Sequence, residues 1–168
     1  FGPWSAISFQ VVYVCVTVAM LTAFVRFCFD LGIRPWLATS FGAFLAVSPT
    51  VAQYESLLFY SHLEIALLVL GARCLQRWCR EDSRPHLIGF VTILSVLALG
   101  RSLYHPLWFV GLGLLLVATI GRRARRPMLI AVCVPLACGL ALGAKNAVVF
   151  GWWTTGSLEG INLHRITE

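Results

Sequence analysis

Charge is what this 168-residue chain has least of. Asp, Glu, Lys and Arg together make up 12% of it, against roughly 25% in an ordinary globular domain. Lysine occurs once, at Lys145. A chain so poor in charge lacks the material for a water-facing surface of normal make-up. Catalytic signatures are missing as well. There is no Ser-His-Asp arrangement, no Walker sequence and no dinucleotide fingerprint. The six cysteines (Cys15, Cys28, Cys74, Cys79, Cys133 and Cys138) form no C-x-x-C pair and have no His at ligand spacing, so a zinc site is unsupported. Most lie in apolar stretches, where a free Cys behaves as a small hydrophobe. No basic n-region or small-residue cleavage site opens the chain, so no signal peptide is visible. The first residue is Phe1 rather than Met, and we expect a piece of a longer protein, with catalytic residues upstream.

What the chain does have is apolar length. Hydrophobic residues are 59% of it and the mean hydropathy is +0.84. A bilayer core about 30 Å thick takes roughly 20 helical residues, and residues 7–29 meet that requirement. Further apolar stretches run over 36–47, 57–75, 87–99, 107–120 and 128–144. Three of these are short for a full crossing. Residues 87–99 reach only about 20 Å at 1.5 Å per residue, unless the helix continues toward Tyr104 or the following turn dips into the membrane. Irregular backbone at that depth must be buried in protein or line a wet cavity, which makes 101–106 a candidate cavity wall. No internal repeat or linker is evident. The pattern predicts an all-α polytopic transmembrane helix bundle, about six spans with short loops, forming a single transmembrane domain over 1–168.

The net charge of +6 does not point to nucleic acid, because the arginines sit in two short clusters between apolar stretches. Arg73, Arg77, Arg80 and Arg84 form one; Arg122, Arg123, Arg125 and Arg126 form the other. The positive-inside rule places both in the cytoplasm, where they would meet anionic membrane lipids. Residues 30–36 then also lie inside, and 48–56, 100–106 and 145–168 outside. Six alternating spans satisfy this scheme.

Few groups are left for chemistry. Arg101, with Tyr104 and His105 beside it, is the single outer arginine before the tail. A guanidinium there suits bidentate phosphate binding, whereas its bland role is to snorkel to headgroups. His105 precedes Pro106, so it serves as a cap or packing residue more readily than as a base. Glu64 lies four residues after Tyr60 on one helix face and needs a partner or a proton inside a span. Glu55, after Tyr54, is a cap, a substrate contact or a ligand of a hard cation, although one carboxylate makes no Mg²⁺ site by itself. Lys145 contacts phosphate or simply sits favourably at a helix C-terminus. Trp152 and Trp153 suit an interfacial anchor.

Ser48-Pro49, then Tyr54-Glu55, then Leu58-Phe59-Tyr60 resembles a passage in the polytopic C-type glycosyltransferases, which include protein mannosyltransferase and aminoarabinose transferase relatives. The turn at 101–106, Lys145-Asn146 with Phe150-Gly151, and the stretch 160–165 are similar to bacterial members. The resemblance implies sugar transfer from a polyprenyl-phosphate donor to a protein, lipid or glycan acceptor at the outer face, with inversion. It implies residence in a bacterial cytoplasmic membrane, basic residues that hold the lipid phosphate, and sometimes a divalent cation. Carried over, Arg101 and Lys145 take the phosphate role, with Tyr104, His105, Tyr54 and Glu55 in the same substrate-binding set. The family's acidic base in a first outer loop has no counterpart, since Asp30 falls inside; these residues alone should be inactive. The other readings are a transporter or flippase working through Glu64 and His62, and a non-catalytic membrane scaffold.

Overall fold

A computed structural model describes residues 3–56, 60–100, 106–119, 125–151 and 153. Every element among them is an α-helix: α1 (Pro3–Asp30), α2 (Pro35–Ala46), α3 (Pro49–Ser56), α4 (Tyr60–Glu81), α5 (Arg84–Gly100), α6 (Pro106–Thr119) and α7 (Arg125–Phe150). Four of these helices start at a proline. That residue's fixed φ suits the first helical position, and its missing N–H would be unpaired there anyway. The chain divides into two compact units, Phe1–Asp82 and Ser83–Glu168.

The first unit is built on α1. This helix ends in a Schellman motif, in which the Ile33 N–H bonds the Cys28 carbonyl at 3.1 Å and the Gly32 N–H bonds that of Phe29 at 2.9 Å. Gly32 has φ +82°, a left-handed conformation that a residue without Cβ adopts freely. The chain reverses there and α2 packs back on α1 through Ala38 and Gly42, both buried. A Cβ on Gly42 would stand 2.6 Å from Val25 Cγ2, so the close approach requires glycine. α4 packs along α1 with Thr17, Met20 and Ala23 buried on one helix and His62, Ala66 and Trp78 on the other. Thr17 meets His62 and, farther along, Asp30 meets Arg77, so α1 and α4 run parallel.

In the second unit α7 is central and packs against both α5 and α6. Phe109, Gly113 and Leu116 form the buried stripe of α6, at the i, i+4, i+7 spacing of one helix face. A Cβ on Gly113 would lie 2.8 Å from Val132 Cγ1, and one on Gly139 3.8 Å from Pro106 Cγ. Seven residues along α6 therefore match seven back along α7, and the two helices are antiparallel. Buried Pro135 lies inside α7 and removes the hydrogen bond its N–H would give to the preceding turn. Gly151, φ +75°, closes α7 with its N–H on the Ala147 carbonyl at 3.0 Å.

Among the described residues two helices are long and apolar enough to cross a bilayer: α1 over Ile7–Asp30 and α7 over Arg125–Val149. Only 22% and 33% of their apolar windows are buried, unlike a soluble core helix. Val11 and Val18 on α1, and Ile130 and Val148 on α7, are among their exposed large side chains. α5 and α6 are apolar but have 17 and 14 residues, about 26 and 21 Å of rise. α2 has 12. α4 has 22, yet carries Arg73, Arg77, Arg80 and Glu81 in its second half. Of the six expected spans, two thus reach crossing length and apolarity on their own.

The element ends differ most from the sequence expectation in three places. Within residues 48–56, expected on the outer side between two apolar stretches, α3 forms from Pro49, which presets a helical start. α4 continues past 75 to Glu81, where its arginines find acids. α7 continues past 144 to Phe150, since Lys145 and Asn146 carry no helix-breaking backbone and Gly151 supplies the stop.

Candidate functional site

Among the described residues polar groups gather at three places, two in the first unit and one in the second. At the C-terminal end of α1, Asp30 receives Arg77: Nε at 3.1 Å from Oδ2 and Nη2 at 3.3 Å from Oδ1. This fork against a carboxylate is the geometry a guanidinium favours. Arg73 Nε lies 3.8 Å from the same Oδ2, and Arg80 donates to the Asp30 carbonyl. Arg77 also reaches Glu81, one turn on, at 2.8 Å. The hydrogen bond to Asp30 and then the charges of Asp30 and Glu81 push the Arg77 pKa up, so it stays cationic throughout the ordinary pH range. Three of the four arginines in the first basic cluster therefore converge on the end of α1. These contacts are partly exposed, so water screens each of them.

Midway along α1, His62 is 1% exposed. Its Nε2 lies 2.9 Å from Thr17 Oγ1, and its ring stacks on Tyr13 with centroids 6.1 Å apart. The Thr17 hydroxyl donates to the Tyr13 carbonyl at 3.0 Å. Its one proton is thereby used, so it accepts from His62, which holds its proton on Nε2. Histidine in this setting fastens α4 to α1. Glu64, two residues along α4, is half-buried.

The third place is the C-terminal part of α7. Lys145 is exposed and Asn146 beside it is buried. After Gly151 the chain folds back, so that the Trp153 indole would meet a Cβ on Gly143 at 3.0 Å. Lys145 is five residues short of the helix end, which sets aside its reading as a terminal cation. The antiparallel register puts Pro106, where α6 begins, near Gly139. The start of α6 thus lies toward the end of the unit where α7 carries Lys145.

Of the substrate-binding set that the resemblance implies, Lys145 is the one with a described side chain. Tyr54 and Glu55 lie on α3, and only their backbone is described. Arg101, Tyr104 and His105 lie outside the described residues. Among the described residues no three His, Cys, Asp or Glu side chains group as a metal site, and all six cysteines are free. The Asp30 hub and the His62–Thr17 contact were missed by spacing, because each joins residues about 45 positions apart. An acid at the end of one apolar stretch and arginines at the end of another was the available signal for the hub. No protein-family profile, curated protein or solved structure matches this chain.

Proposed function

We propose that the chain is the membrane-embedded part of a glycosyltransferase that moves a sugar from a polyprenyl-phosphate donor to an acceptor at the outer membrane face. The observation that carries this reading is the placement of Lys145. It is the one lysine of the chain, it is exposed on a helix of crossing length, and it lies at the end where the segment bearing Arg101, Tyr104 and His105 joins α6. Lys145 together with Arg101 would hold a phosphate. The apolar exposed faces of α6 and α7 would take the prenyl chain.

The multi-pass arrangement belongs to the same proposal. α1 and α4 run parallel, so α2 and α3 must carry the chain back between them, as alternating spans require. α6 and α7 are antiparallel, again as the scheme requires. Tyr54 and Glu55 join the proposed outer face by sequence topology. A divalent cation would have to be completed by the donor's own phosphate oxygens. Transport through Glu64 and His62 is the lesser reading, because His62 is walled in and hydrogen-bonded as a helix fastener.

The test is photo-crosslinking of a polyprenyl phosphate bearing a photoreactive group to the protein in membranes. Arg101→Gln and Lys145→Gln should each reduce labelling about fivefold, the equivalent of about 1 kcal/mol for one cation near a phosphate. Labelling unchanged in both variants would sink the phosphate site. Loss of labelling in Glu64→Gln alone would favour transport.

A further inference from the structure

The first unit holds a cleft that the proposed transfer site does not use. It lies between α1 and α2 as a wide-open groove with a volume of about 360 Å³. Leu21, Val25 and Phe29 give it an apolar wall on α1, and α2 closes the other side with Gly42 and Ala43. Its polar lining is Thr22, Thr39 and Arg26. Thr39 already donates to the Pro35 carbonyl at 2.9 Å.

Arg26 differs from Arg73, Arg77 and Arg80, which are engaged at Asp30, and unlike the equally free Arg34 it lines the cleft. It is exposed, and among the described residues it takes part in no ion pair or hydrogen bond. The acid one turn farther along its helix, Asp30, is occupied by Arg73 and Arg77. A free guanidinium beside an apolar wall matches an amphiphile with an anionic head. Free phosphate would satisfy the cation and leave the wall uncovered. A neutral lipid would cover the wall and leave the cation unmatched.

We propose that the α1–α2 cleft binds an anionic glycerophospholipid, with Arg26 holding the phosphate and an acyl chain lying against Leu21, Val25 and Phe29. Guanidinium geometry suits phosphate oxygens. The proposal rests on the chain being membrane-embedded, and is independent of sugar transfer. Arg34, exposed at the start of α2, does not line the cleft and serves as the control cation.

The experiment is native mass spectrometry of the protein released from micelles holding equal amounts of phosphatidylglycerol and phosphatidylcholine with identical chains. The wild type should retain phosphatidylglycerol in about fivefold preference, as expected for one cation near an anionic headgroup. Arg26→Gln should bring the ratio close to one, whereas Arg34→Gln should keep it. Ala43→Phe, which fills the cleft, should lower retention of both lipids. Wild-type preference in Arg26→Gln, or wild-type retention in Ala43→Phe, would overturn the proposal. So would displacement of the lipid by excess inorganic phosphate, which would make this a free-phosphate site. Flotation of the same preparation with vesicles separates the two premises. A chain that fails to float refutes membrane embedding, and one that floats without lipid preference refutes only the lipid site.

Discussion

His62 shows how a single polar side chain fixes two helices. Its Nε2–H points at a hydroxyl whose own proton is already given to the Tyr13 carbonyl, so the pair works in one direction only. Thr17→Val keeps the shape and leaves the buried donor unpaired. We expect a loss of about 1 kcal/mol in detergent unfolding. Thr17→Val combined with His62→Leu should recover most of it, because removing both partners removes the unpaired group. A double variant no better than Thr17→Val would mean that packing, not the hydrogen bond, joins the helices here. The sequence showed that His62 lay within an apolar stretch, but its partner sits 45 residues away and only the fold reveals it. Asp30 carries the same lesson. Both it and the arginines were visible as charges at the ends of apolar stretches, and their pairing depends on α1 and α4 being parallel.

At the scale of elements, close approach depends on glycine in some places and not in others. Gly42 faces Val25 with no room for a Cβ, and Val25 is β-branched and stiff about χ1. Gly111 has nothing within 4 Å of such a Cβ. Gly42→Ala should therefore destabilise the protein by about 1–3 kcal/mol through overpacking, while Gly111→Ala should be neutral or slightly stabilising. Equal effects in thermal unfolding would contradict the packing of α2 on α1. The helices themselves were largely legible in the sequence, because long apolar stretches between charged turns leave few alternatives. Their ends were less so. Apolarity marks where a helix is greasy and not where its hydrogen bonds stop, so the stretches expected to end at 144 and 75 run on as helix through Lys145 and Arg77. Proline and glycine were the better markers, as Pro49 and Gly151 show.

For the molecule as a whole, the lengths of the helices and the directions of their packing bear differently on membrane topology. Among the described residues α1 and α7 are long and apolar enough to cross a bilayer, while α5 and α6, at 17 and 14 residues, would need a thinned bilayer or neighbouring protein to do so. The parallel direction of α1 and α4 in the first unit, and the antiparallel direction of α6 and α7 in the second, are those that the proposed alternating spans would also take. The phosphate-binding proposal depends on this, since it needs the α5–α6 connection on the outer side. The decisive measurement is labelling of single-cysteine variants in sealed cells with a membrane-impermeant maleimide. The variants, made in a background without other cysteines, would be Cys79 alone and Ser102→Cys alone. The account predicts that Ser102→Cys labels from outside and that Cys79 labels only after permeabilisation. Labelling of both positions from the same side would mean that α5 does not cross, and would contradict the outer-face site.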